Sequence, residues 1–308
     1  MSVAVETARR AARYRALRVR LRYHRWRQRV ATAELLQQTR EDFEILGTWL
    51  GIPAGATVEP VDAGGVPGEW LTVQRSDPDR VVLYLHGGGF TMGSINASRS
   101  SLSAYVTASG LTALNIDYRL APEHPFPAAV EDALAAYRWL LEQFPAECIV
   151  ILGESAGGGL AFSLLLAARA AGLPLPAGVA TVSAWADLAL SGASYRRAAH
   201  RDLSLTRDRL ALAAQLYLDG TDPKALLASP VYADLHDLPP ALLLASTHEL
   251  VYDDSVTLAR RLEAGGVEVQ RLFVPRMLHC WPTYAEYVTR ATPDLNLVAG
   301  WLAARATG

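Results

Sequence analysis

Ile149-Val150-Ile151-Leu152-Gly153-Glu154-Ser155-Ala156-Gly157-Gly158-Gly159 decides how the rest of this chain is read. A β-branched apolar run ends in Gly-x-Ser-x-Gly, and an Ala/Leu-rich run follows. That order spells strand, sharp turn, helix, with a serine hydroxyl lifted out at the carboxyl end of the strand. Gly153 and Gly157 let the chain turn, because no Cβ blocks the backbone there. The helix that starts at the turn leaves its first N–H groups unpartnered and aimed at the same spot. A serine so placed lacks three things: a base, an acid to orient the base, and donors for an oxyanion.

Outward from this stretch, strands and helices alternate. Strands are expected at 57–61, 69–74, 80–85, 111–116, 148–152, 178–183, 241–245 and 268–274. The first two flank an Ala63-Gly64-Gly65 turn and read as an antiparallel edge pair, with Pro60 suited to the edge. Helices are expected at 97–108, 128–144, 156–171, 254–264 and 295–304. The rhythm breaks over about 185–235, where one helix near 206–218 suggests a cap insertion. The pattern predicts an α/β fold: a mostly parallel eight-stranded sheet with helices on both faces. Right-handed crossovers then line up the loops after the strands along one rim.

The rim loops hold the missing groups. His86-Gly87-Gly88-Gly89-Phe90 follows the 80–85 strand, and its successive glycines expose backbone N–H groups beside the nucleophile strand. Gly88, Gly89 and Ala156 are assigned as oxyanion donors, and His86 is expected to hold the loop by hydrogen bonds. Of seven histidines (His24, His86, His124, His200, His236, His248, His279), His279 sits a short loop beyond the last strand and is the expected base. The acid belongs just past the 241–245 strand. Glu249 lies within that loop and is preferred; Asp253 and Asp254 fall at a helix start, where carboxylates cap free N–H groups without any catalytic role.

Composition narrows the class. The chain has 308 residues, 51% of them hydrophobic and 19% charged, enough for one large domain with a small cap. Cys148 and Cys280 lie too far apart in sequence to suggest a disulfide framework, and no metal set is visible, so no cofactor is expected. No apolar run reaches the ~18 residues of a membrane span and no signal peptide is seen, so a reducing cytoplasm is the expected location. The net charge of −2 hides an asymmetry: residues 1–30 carry ten arginines against Glu6, or +9, which leaves −11 for the remainder. An apolar stripe of Val5, Ala8, Ala12, Val19, Tyr23, Trp26 and Val30, widened by Tyr14, Leu17 and Leu21, marks a helix there, and a second helical piece is expected at 32–50. The expected role is a cap over the active-site mouth. An amphipathic helix for an anionic membrane or acidic partner, and a transit peptide, are the other readings. Nucleic acid is excluded by the acidity of the rest of the chain.

With Asp117-Tyr118-Arg119-Leu120-Ala121-Pro122-Glu123-His124-Pro125-Phe126-Pro127 added, the motifs at 86–90 and 153–159 resemble the hormone-sensitive-lipase family of α/β-hydrolases, the bacterial family IV esterases. The resemblance runs from about Thr57 to the C-terminus. It implies an α/β-hydrolase fold at 51–308, a helical cap segment at 1–50, carboxylic-ester hydrolysis, and often a homodimer through an edge strand. The charged groups of the 117–123 motif resemble a network that braces rim loops. Three departures stand out: Glu249-Leu250-Val251-Tyr252-Asp253-Asp254 at the usual Asp-Pro-Leu-x-Asp, Glu154 at the commoner Asp, and Cys280-Trp281 after the histidine. These resemble a branch containing monoterpene ε-lactone hydrolases and acetyl hydrolases. The expected activity is a serine carboxylesterase acting on small to medium esters or lactones. An acyltransferase with the same triad and a non-catalytic ligand-binding module are the alternatives. Phe90, Trp185 and Leu250 are the expected pocket walls.

Overall fold

Eight strands form one sheet in the order β1-β2-β4-β3-β5-β6-β7-β8 in a computed structural model that describes residues 12–19, 21–22, 36–49, 55–285 and 287–307. The strands are β1 (Ala56–Asp62), β2 (Pro67–Val73), β3 (Asp77–Leu85), β4 (Leu111–Ile116), β5 (Ile149–Glu154), β6 (Gly178–Val182), β7 (Ala241–Ser246) and β8 (Val269–Val274). β2 pairs antiparallel with β1 and with β4, and every other pairing is parallel. β1 is an edge strand, so Pro60 removes no bond from an inner ladder.

Strands β4 to β7 are buried at every position, as a sheet covered on both faces requires. Alternate residues point to opposite layers. Val81, Leu83, Leu85, Ile149 and Ile151 pack with α4 (Ala128–Leu141) and α5 (Ala156–Ala170). Val82, Tyr84, Val150 and Leu152 pack on the other face with α3 (Ile95–Ser109) and α9 (Ala291–Arg305).

The N-terminal region corrects one expectation. α1, helical over 12–19 and 21–22, buries Leu17 and Leu21 in the layer of α3 and α9, with Tyr14 partly buried beside them. Val19 is 66% exposed and Ala12 is exposed. The face that packs is therefore 14-17-21, spaced three and four apart, and not the seven-residue series through Val19, which lies about 200° around the helix from Leu17. Val5, Ala8, Tyr23, Trp26 and Val30 lie outside the described residues. α2 (Leu36–Trp49) lies against α3.

The excursion after β6 holds two helices, α6 (Ser194–Arg197) and α7 (Arg207–Leu218). Asp253 and Asp254, expected as caps, do something else. Helix α8 (Tyr252–Ala264) has Val251 as its N-cap residue and no side-chain cap. Asp253 Oδ2 accepts from Ser194 N (2.8 Å), and Asp254 Oδ2 accepts from Ala186 N (2.9 Å) and Asp187 N (3.0 Å). The two carboxylates tie the excursion back to the domain.

Candidate active site

Ser155 stands between β5 and α5 at φ 55° and ψ −119°, a conformation that costs an L-residue on the order of 1–3 kcal/mol. The surroundings enforce it. Ser155 N donates to Val182 O (2.9 Å), and Ser155 O accepts from Gly158 N (2.9 Å) and Trp185 N (2.8 Å). A Cβ on Gly157 would lie 2.0 Å from Leu85 O, so the helix approaches β3 only because that residue is glycine.

His279 hangs from the loop after β8. Its Nε2 lies 2.9 Å from Ser155 Oγ and its Nδ1 lies 3.1 Å from Glu249 Oε1. An Nδ1–H donating to Glu249 leaves Nε2 free to accept from Ser155. Glu249 follows β7 and is 1% exposed. Its Oε2 accepts from Ser246 N (2.7 Å), and its Oε1 also accepts from the Ser183 hydroxyl. Ser183 Oγ in turn accepts from Cys280 N (3.0 Å), joining the carboxylate to the backbone beside His279. Burial, the largest influence, works against an imidazolium; the Cys280 sulfur and the Glu249 carboxylate favour it, and the balance lies well above the ordinary histidine value. Burial also raises the Cys280 thiol, so Glu249 is the charge His279 faces near neutral pH.

The turn after β3 presses against this serine: a Cβ on Gly87 would lie 3.1 Å from Ser155 Cβ. Gly88 has φ 128°, and a Cβ there would sit 1.9 Å from Met92 O, so no other residue fits. Gly88 O accepts from Thr91 N (3.2 Å) and Met92 N (3.1 Å). His86 is buried, stacks on Tyr118 at 4.1 Å between centroids, and sets Nδ1 2.7 Å from Gly87 O. Among the described residues, the N–H groups of Gly88, Gly89 and Ala156 donate to no protein acceptor. They are free for a developing oxyanion.

Phe90 and Trp185, expected as pocket walls, come together with ring centroids 6.0 Å apart, and Phe90 stacks on Tyr217 of α7 at 4.0 Å. A Cβ on Gly89 would lie 3.5 Å from Ala213 Cβ and 3.8 Å from the Trp185 ring. Leu250 is buried in the same core, where its backbone is what ties it: N–H to Asp202 Oδ2 (3.0 Å) and C=O from Ser194 Oγ (2.5 Å). Of the other histidines, His236 is exposed between Asp234 (2.7 Å) and Asp237 (3.3 Å), and burial lowers His248. Sequence reasoning passed over Ser183 and Asp202. Ser183 does follow a parallel strand, at a rim position, and that was its only signal.

A family model described as alpha/beta hydrolase fold matches residues 82–283. The chain is 42% identical over 260 residues to an acetyl-hydrolase of Streptomyces hygroscopicus, covering 84% of this chain and 85% of that one. It is 32% identical over 221 residues to an esterase of Acinetobacter venetianus, covering 70% and 73%. The crystal structure of an esterase from the bacterial hormone-sensitive lipase family is similar with a TM-score of 0.91 at 35% identity, covering 96% of this chain and 99% of that one.

The chain belongs to the α/β-hydrolases of the hormone-sensitive-lipase family. This hydrolase is a carboxylic ester hydrolase, a serine carboxylesterase. No helix among its described residues is long and apolar enough to cross a membrane. Where the family more often has aspartate, the hydrolase places Glu154 in a set of hydroxyls. Tyr84 (2.7 Å), Tyr105 (3.1 Å), Ser101 (3.2 Å) and Thr283 (3.1 Å) all donate to its carboxylate. Burial raises that carboxyl, and the hydroxyls oppose the shift.

Proposed function

We propose that the protein hydrolyses esters of short carboxylic acids, lactones included, through an acyl-enzyme on Ser155. The observation that carries this is the unbroken line Ser155 Oγ–His279 Nε2 (2.9 Å), His279 Nδ1–Glu249 Oε1 (3.1 Å), beside the unengaged N–H groups of Gly88, Gly89 and Ala156. Ser155 Oγ attacks the carbonyl carbon as His279 Nε2 takes its proton. The carbonyl oxygen becomes the oxyanion, and each donor aimed at it contributes on the order of 3 kcal/mol. The C–O bond to the alcohol then breaks, and the alcohol leaves with the proton from His279. A water attacks the acyl-enzyme, gives one proton to His279, and Ser155 recovers it as the acid departs. Glu249 orients the imidazole and stabilises the imidazolium.

The preference for short acids is supported by the side chains beside the oxyanion loop: a Cβ on Gly89 would lie in van der Waals contact with Ala213 and the Trp185 ring. It agrees with a relative described as an acetyl-hydrolase.

Ser155→Ala should abolish hydrolysis of p-nitrophenyl acetate while leaving the thermal midpoint near that of the parent. Retained turnover would exclude Ser155 as the nucleophile. A series of p-nitrophenyl esters from two to ten carbons should peak at the short end; a maximum at eight or ten carbons would overturn the acyl preference.

A further inference from the structure

Arg40 of α2 reaches two of the loops that frame Ser155. Its Nε donates to Thr91 O (2.8 Å), and its Nη2 donates to Ala121 O (2.9 Å). Nη1 and Nη2 also hold both oxygens of Glu123, at 2.7 Å and 2.6 Å. The planar fork suits this task, since one rigid group engages a carboxylate and two carbonyls at once. The two loops also touch directly, Ala121 N donating to Phe90 O (2.9 Å). One helical turn further on, Glu44 accepts from the Ser94 hydroxyl (2.8 Å), which caps α3. The guanidinium is 22% exposed and shifts the Glu123 carboxyl down to about 2.

Thr91 closes the turn that begins at Gly88, where Thr91 N and Met92 N both bond Gly88 O. The carbonyl held by Arg40 therefore belongs to the far end of the turn whose Gly88 and Gly89 N–H groups, unengaged by protein acceptors among the described residues, are the proposed oxyanion donors. We infer that Arg40 is a positioning residue for the oxyanion hole, so that helix α2 of the N-terminal segment takes part in catalysis. The inference rests on the proposed role of the 86–91 turn. When α2 docks, a charged donor clamps Thr91 and Ala121 together and fixes the direction of the two glycine N–H groups. When it does not, the turn keeps the Gly88 O bonds, the His86 Nδ1–Gly87 O contact, the Tyr118 hydroxyl on His86 O and the Phe90–Ala121 bond, but loses its tie to Thr91 O.

The test is kinetic, on the full chain. Arg40→Ala should lower kcat for p-nitrophenyl acetate on the order of 10-fold or more, since small misplacements of catalytic groups have such effects, with KM little changed. Affinity for a short trifluoromethyl ketone, which forms a tetrahedral oxyanion on the serine, should fall by the same factor. Arg40→Lys, a single point charge, should lie between the two, and millimolar guanidinium should restore part of the Arg40→Ala rate. Glu123→Gln supplies a milder variant if Arg40→Ala does not fold, and it should show the same paired loss at smaller size. A shift in KM or chain-length preference with kcat and ketone affinity unchanged would make Arg40 a lid anchor only and overturn the inference. Wild-type kcat in both Arg40→Lys and Glu123→Gln would do the same. Neither result touches the assignment of Ser155, which stands or falls on Ser155→Ala.

Discussion

In the proposed mechanism, His279 accepts the Ser155 proton only while Nε2 is unprotonated. Its pKa lies above the usual histidine value, so kcat/KM should be lost as pH falls through a midpoint higher than about 6.5. Glu249 is one of the groups that raise it. Glu249→Gln should therefore move the midpoint down while cutting kcat by on the order of 10³-fold or more, because the imidazole loses its orienting charge. A pH–rate profile of both proteins checks the sign: an upward shift in the variant would mean that Glu249 is not the charge that His279 senses. Ser183 belongs to the same scale. It ties the carboxylate to Cys280 N, so Ser183→Ala should loosen the acid and the base together without emptying the site.

Glu154 joins four elements of structure. It ends β5, one residue before the nucleophile, and its carboxylate receives hydroxyls from β3, α3 and the turn just after His279. A buried acceptor with this many donors is costly to alter, since each hydroxyl left without a partner costs about 1–3 kcal/mol. Glu154→Leu should lower the unfolding free energy by an amount in that range or beyond, read from urea unfolding. Tyr84→Phe, which removes one donor, should cost less. Helix α7 supplies the opposite kind of contact, small and apolar. Ala213 of this helix, with Trp185 of the loop after β6, lies in van der Waals contact of a Cβ placed on Gly89, so Trp185→Ala should move the best acyl chain toward longer acids in a p-nitrophenyl ester series. An unchanged optimum would place the depth limit elsewhere.

Across the whole molecule, the N-terminal helices are attached in two ways. α1 buries Leu17 and Leu21 in an apolar layer, which is insensitive to pH. α2 is held partly by charge. The Glu123 pKa is lowered from 4.5 to about 2, so the stabilisation from its pair with Arg40 is present above the unfolded value and is lost as pH falls between these limits. Glu123 is 54% exposed, so solvent screening keeps this to under about 1 kcal/mol. Limited proteolysis at pH 3 should cut near α2 sooner than at pH 6, and Glu123→Gln should remove much of that difference.

The sheet, the elbow and the order of the rim loops were legible in the sequence because each depends on local pattern. Short, mostly apolar stretches set β4 to β7, glycines at 153 and 157 set the turn, and distance along the chain past the last strand pointed to His279. Other features arise from residues that meet only after folding. Ser183 bonds Glu249 across 66 positions, and Arg40 bonds Thr91 across 51 and Glu123 across 83. Their residue types are ordinary for exposed loops and helices, so no spacing rule marks them. The packed face of α1 was misplaced because its apolar residues support more than one stripe, and only the layer it joins selects among them. Sequence alone pointed to the chemistry, since the strand, the Gly-x-Ser-x-Gly turn and the helix that present the serine are written in one local stretch. Tertiary structure decided which groups brace that chemistry, because Ser183, Glu249, Arg40 and Thr91 come together from segments distant in the chain.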